Sequence, residues 1–138
     1  LLTLNNTKIL IINTYFPTDP RVEAFDEFEL QSTLQDIAFL RDNTPHNHCI
    51  IMGDINADFT RSTRFVEAVK NFVGVQNMLP VWNIHPVDYT YMCTQERNGH
   101  LQSYFSTIDH FLIDPPLISS SYISATLCRK YIWLHLRA

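Results

Sequence analysis

The residues able to do chemistry in this chain gather where apolar runs stop. Ile50-Ile51-Met52 ends at Gly53 and is followed by Asp54, Asn56 and Asp58. The run beginning at Lys8 closes on Asn13 and Tyr15, and Ser106 precedes Asp109 and His110 at the mouth of Phe111-Leu112-Ile113. If the three strands lie side by side, these groups converge on one rim, where α/β proteins place their binding and catalytic groups. Carboxylates, an amide and a phenol suit phosphodiester hydrolysis. A carboxylate orients or deprotonates water, neutral donors hold the pentacovalent phosphate, and a divalent cation neutralises its oxygens. Mg²⁺ takes one or two carboxylates and keeps several waters, so a dense ligand cluster is not required. Taken alone, Asp-x-Asn-x-Asp reads equally as a polar turn, or as three groups projected one way by extended chain.

The elements that must position these residues follow from periodicity. Lys8 to Phe16 is apolar and β-branched, the pattern of a strand buried on both faces, and Pro17 ends it. Asp19 as N-cap and Pro20 at the first helical position open an amphipathic helix to about Arg41, with Val22, Phe25, Leu30, Leu34, Ile37 and Ala38 on its apolar side. Asn43-Thr44-Pro45 stops it before the strand at Ile50. Strand, helix and strand at this length form a crossover unit in one sheet. Ser62 or Thr63 caps a second helix through Phe72, with Phe65, Val66, Val69, Phe72 and Val73 as its stripe and Gly74 as its stop. Met78 to Val87 is irregular. Tyr89 to Cys93 reads as a strand, and Asn98-Gly99 turns it toward a partner expected at Ser106 to Ile113. Pro115-Pro116 closes that partner.

With 138 residues, 46% of them hydrophobic and 17% charged, the chain suits one folded domain with a real core. Its net charge of −4 gives no sign of a basic patch that would bind nucleic acid by charge alone. Cys49, Cys93 and Cys128 include no Cys-x-x-Cys pair, which favours a reduced, intracellular setting. His46, His48 and Cys49 invite a zinc reading but lack a second ligand pair at a useful spacing. No apolar run approaches membrane-spanning length. The chain lacks an initiator Met, so it is expected to be an internal piece of a longer protein.

Four motifs, Ile12-Asn13-Thr14-Tyr15-Phe16-Pro17, Gly53-Asp54-Ile55-Asn56-Ala57-Asp58, Tyr89-Thr90-Tyr91 and Ser106-Thr107-Ile108-Asp109-His110-Phe111-Leu112, stand in the order and rough spacing of a known family. Together they resemble the endonuclease/exonuclease/phosphatase (DNase I-like) superfamily, most closely the endonuclease domain of LINE-type (non-LTR) retrotransposons. The resemblance implies an α/β fold, part of a four-layered sandwich whose N-terminal segment is missing. Residues 1–118 would be the partial domain and 119–138 a divergent tail. It also implies Mg²⁺ as cofactor, DNA as partner, no membrane and no small-molecule cofactor, with the nucleus as one intracellular location. By the same resemblance, Tyr15 would hydrogen-bond the scissile phosphate and Asp54 would position or activate the attacking water. Asn56 would orient water and phosphate, and Asp109 would buttress a catalytic histidine. Asn13, Thr90 and Ser106 would support them.

Departures from the pattern bear on activity. The family's earlier segment, with an Asn and the metal-ligating Glu, has no counterpart, so the principal metal ligand is left unassigned. The terminal Ser-Asp-His is also missing, and His135 stands between leucines without a preceding aspartate. The expectation is a fragment of a metal-dependent phosphodiesterase that nicks DNA weakly or not at all on its own. The alternatives are a degenerate, non-catalytic remnant and a superfamily member acting on lipid or inositol phosphates. Asp58 reads as a turn residue, and Arg61 and Arg64 as phosphate contacts or a solvated helix start. His110 points to the face opposite Asp109 and reads as packed. Tyr89, Tyr91, Trp82 and Phe105 read as packing residues before base-stacking ones.

Overall fold

The structure, a computed structural model, describes residues 1–4, 6–18, 27–119, 123–128 and 131–136, with side chains described as far as residue 118. In chain order the elements are β1 (Leu2–Leu4), β2 (Thr7–Tyr15), α1 (Glu27–Asn43), β3 (His48–Asp54), α2 (Arg64–Val75) and β4 (Leu79–Pro80). A single 3₁₀ turn at Val81–Asn83 leads to β5 (Tyr91–Arg97), β6 (His100–Ser106), β7 (Asp109–Ile113), α3 (Pro115–Ser119), β8 (Ile123–Cys128) and β9 (Tyr131–Leu136).

The main sheet has the order β1-β2-β3-β7-β4. Strands β2 and β3 are parallel, as a strand–helix–strand crossover requires, and β7 runs antiparallel to β3. Alternation divides the side chains between two cores. Leu10, Ile12, Cys49, Ile51 and Leu112 face the helices, where they bury Leu30, Leu34 and Ile37 of α1 and Phe65, Val66 and Val69 of α2. Ile9, Ile50, Phe111 and Ile113 face the other way, against Val81, Trp82 and Leu117. Residues on both faces are therefore apolar, which accounts for the continuous runs in β2 and β3.

Several boundaries differ from expectation. The Asp19 cap, Pro20, Val22 and Phe25 lie outside the described residues, and α1 is described from Glu27 to Asn43. Thr63 does cap α2, accepting from the Val66 N–H at 3.2 Å. Gly74, however, lies inside the helix, and the residue in left-handed conformation is Asn77, with φ 50°. Asn tolerates that region because its short amide bonds locally. Asn98-Gly99 does form a tight turn, both residues at positive φ (53° and 76°), but it joins β5 to β6 and not to the strand at Asp109. That hairpin forms its own two-stranded sheet, and β7 belongs to the main one. Strands β8 and β9 form a third, separate ladder.

Two polar ties fix the far end of the sheet. Arg41 reaches from α1 to Asp114 at 2.6 Å and to the Gln76 carbonyl beyond α2 at 2.5 Å. Asp114 also accepts the Cys49 N–H at 2.7 Å. One carboxylate thus joins the start of β3 to the end of β7 and to a helix above them.

Candidate active site

At the opposite end of the sheet, register assembles the residues singled out in sequence. Tyr15 of β2 pairs with Asp54 of β3, and Asp54 pairs with Asp109 of β7. Partners in register project from the same face, so the phenol and both carboxylates form one row across the sheet. They continue the face that carries Ile50, Phe111 and Ile113 deeper in the protein. Asn13 lies two residues back on this face, in register with Met52, and is exposed.

Gly53 makes the row possible. Its φ is 134°, and a Cβ there would sit 1.9 Å from the Thr14 carbonyl oxygen of the adjoining strand. Only glycine lets β3 run this close to β2 and still deliver Asp54 beside Tyr15. Beyond Asp54 the chain does not stay extended, so of the two readings of Asp54, Asn56 and Asp58 the turn holds and the alternation does not. Asn56 is left-handed (φ 52°). Its backbone N–H bonds Asp54 Oδ1 at 3.1 Å, and its side-chain amide donates to the Phe16 carbonyl at 2.8 Å. Asp58 turns into the protein, where Oδ1 accepts from the Thr60 amide (3.1 Å) and hydroxyl (2.6 Å) and Oδ2 lies 3.4 Å from Arg61 Nε.

These residues border a cleft of about 650 Å³ whose lining includes Tyr15, Asp54, Asn56, Arg61 and Ser106. Tyr15 is 70% exposed at its edge. Asp109 does not line the cleft but stands beside Asp54 closely enough to act on its charge. The Asp54 carboxyl is pushed above its ordinary value, first by burial and also by the negative charge of Asp109, while the Asn56 amide works the other way. Thr90 supports this end: its hydroxyl accepts the N–H groups of Ile108 (3.0 Å) and Asp109 (3.1 Å). The Ser106 hydroxyl is buried and accepts from Arg61 at 2.8 Å.

The facing wall is hairpin β5–β6, through Tyr91, Cys93, Gln95, Arg97 and Tyr104. Of these, sequence singles out Tyr91 and, as a thiol, Cys93. The period of two in Tyr91-x-Cys93-x-Gln95-x-Arg97 is the signal that would have found Gln95 and Arg97 as well, and Tyr104 is the register partner of Cys93. Trp82 is not in the cleft. Its indole donates to the Asp109 carbonyl at 2.7 Å, and its ring meets Phe111 edge-on. Tyr89 and Phe105 pack on one another, 4.8 Å between centroids. His110 is buried on the helix side, its pKa lowered by burial, and stacks on Phe59. Cys49 is buried in the helical core with its thiol pushed up to about 11, chiefly by burial, which makes it a poor zinc ligand. His46 bonds the Thr44 carbonyl nearby at 2.6 Å.

Among the described residues no group of three or more His, Cys, Asp or Glu side chains gathers as a metal site. The nearest arrangement is the pair Asp54 and Asp109. Two neighbouring carboxylates, the charge of one disfavouring ionisation of Asp54, are a hard-oxygen donor pair that a divalent cation would relieve, so the residues fit such an ion. No helix among the described residues is long and apolar enough to cross a membrane.

The parallel β2–β3 pair with its helical layer, the antiparallel β7 and the cleft at their polar end define the DNase I-like α/β fold. A solved structure that shares it is the "Endonuclease domain of TRAS1, a telomere-specific non-LTR retrotransposon", with a TM-score of 0.58 and 15% identity over 78% of this chain. The match takes in 52% of that domain, so the chain spans about half its length. No family model and no curated protein sequence matches.

Proposed function

We propose that the chain is part of a divalent-metal-dependent phosphodiesterase that nicks nucleic acid, with DNA as the substrate. The observation that carries this reading is the row Tyr15–Asp54–Asp109 on one sheet face, of which Tyr15 and Asp54 line the cleft together with Asn56 and Ser106. Asp54, at the cleft beside Asn56, is placed to orient or deprotonate the attacking water. Asn56 has one amide N–H committed to Phe16, which leaves its carbonyl oxygen and second N–H to orient that water against a phosphate oxygen. The exposed Tyr15 hydroxyl would donate to the scissile phosphate from the other end of the row. Asp54 and Asp109 are the residues that would hold a divalent cation, Mg²⁺ being the best suited, and the ion would neutralise phosphate charge. Arg61 and Arg97 line the same cleft and add positive charge to an acidic chain.

Turnover by this chain alone is expected to be slow. No histidine is among the described residues that line the cleft, so among these none stands ready to protonate the leaving oxygen. The test is relaxation of supercoiled plasmid with Mg²⁺, compared between the chain and its Asp54→Asn variant. Slow nicking that EDTA abolishes and that falls by about 100-fold in the variant is the expected result. Nicking that Asp54→Asn leaves intact would overturn the assignment.

A further inference from the structure

His110 lies directly behind the catalytic row. It pairs in register with Gly53, and its ring points to the helix side, where it is 3% exposed. Its Nε2 stands 2.8 Å from the Ala57 carbonyl oxygen and 3.1 Å from that of Thr107. Both neighbours are acceptors, so Nε2 carries the proton and donates to both. The ring stacks on Phe59 with centroids 4.4 Å apart. Nδ1 is buried and has no hydrogen-bond partner. A phenyl ring would stack here without leaving an orphaned nitrogen, so what the imidazole adds is the Nε2–H donation.

Those two carbonyls belong to different loops. Ala57 follows Asp54 and Asn56, whereas Thr107 lies between Ser106 and Asp109. In front of His110 the same loops are joined by the Ile55 N–H to the Ile108 carbonyl at 2.8 Å, and at the cleft by Arg61 to Ser106. We propose that His110 is a positioning residue for the candidate site: by donating one N–H to both Ala57 and Thr107, it holds the Asp54–Asn56 loop and the Ser106–Asp109 loop at a fixed separation. The role in catalysis rests on the phosphodiesterase reading; the clamp itself rests on the geometry.

The test uses the full chain with His110→Phe, which keeps the ring but removes the donor, and His110→Gln, whose amide can place a donor near the Nε2 position. Amide hydrogen exchange is read at Ile55, between the two loops, and at Ile51 and Leu112, within the sheet. In His110→Phe, Ile55 should exchange at least about ten times faster while the two sheet amides keep their rates, and His110→Gln should restore Ile55. A merely structural role would shift all three together, and that result, or failure of Gln to restore Ile55, overturns the proposal. In the unsubstituted chain, nitrogen NMR should find the proton on Nε2; an Nδ1–H tautomer overturns the proposal even if neither variant folds. Mg²⁺-dependent nicking should follow Ile55 protection, falling in kcat in the Phe variant and returning with Gln. Nicking unchanged by His110→Phe removes the positioning role and leaves the phosphodiesterase reading standing. Local loosening at Ile55 in a chain that never nicks keeps the clamp and refutes the expected slow turnover of this chain on its own.

Discussion

Gly53→Ala tests whether the row depends on the close approach of β2 and β3. The added methyl would lie 1.9 Å from the Thr14 oxygen, 3.0 Å from its carbon and 3.2 Å from its nitrogen. All three are backbone atoms of a central strand, so no side chain can swing aside. The φ of 134° adds a conformation that costs an L-residue about 1–3 kcal/mol. Relief requires the strands to part by roughly an ångström, at the expense of ladder hydrogen bonds worth about 1 kcal/mol each. The Phe16 N–H to Asp54 carbonyl bond (2.9 Å) lies where the strands would open.

These contributions give an expected loss of about 3–5 kcal/mol, a large share of the roughly 5–15 kcal/mol that holds a domain of this kind together. Urea unfolding followed by circular dichroism measures it. Gly74→Ala is the control, the same chemical change inside α2 with nothing within 4 Å of the new methyl. It should be neutral or stabilise by about 0.5–1 kcal/mol. A Gly53→Ala loss below about 1 kcal/mol, or losses of equal size at both glycines, would refute the steric argument.

Asp114→Ala should cost about 3 kcal/mol by thermal or urea unfolding, because it removes the Arg41 counter-charge and the Cys49 N–H acceptor in a mostly buried setting; a loss under about 1 kcal/mol would mean that water replaces the carboxylate. Cys49 predicts an alkaline limit. Its folded pKa of about 11 lies above the ordinary 9.0, so its contribution is complete below pH 9 and is lost as pH rises through 11. The loss amounts to about 3 kcal/mol, and Cys49→Ala, compared with the parent across that range, should flatten it.

What sequence could reveal here depends on burial. Strands β2, β3 and β7 were legible because both their faces are covered, which demands continuous apolar runs with abrupt polar ends. Those ends are Tyr15, Asp54 and Asp109, and adjacency in one sheet places them in a row. The helix cap at Thr63 was legible through local hydrogen-bonding chemistry. Strand β6 was not, because His100 to Ser106 is largely solvated on both faces and imposes no hydrophobic alternation. Its partner was therefore sought in the more apolar β7. The backbone at Asn56 also lay beyond sequence, since its left-handed turn answers to the Phe16 carbonyl, 40 residues away. The Arg41–Asp114 tie spans 73 residues and leaves no local trace.

This difference in burial is also a difference in local stability across the cleft. The row stands on strands flanked by two apolar cores, and its backbone is tied by Thr90, Trp82 and the bond from Ile55 to Ile108. The opposite wall is a two-stranded ribbon whose ladder is its own and in which Ser106 is the one buried residue. An isolated ribbon of two strands is marginal in water, so its tip, near Asn98-Gly99, should open at low free-energy cost while the row remains protected. Ser106 is where the two regimes meet. It ends β6, pairs with Tyr91 and accepts from Arg61 of the Asp58 loop. A perturbation at the ribbon tip can therefore change the width of the cleft without moving Asp54, whereas one at Ser106 or Arg61 reaches the loop that carries Asn56. The geometry at Asp54 rests on the sheet, and the shape of the cleft rests on the ribbon.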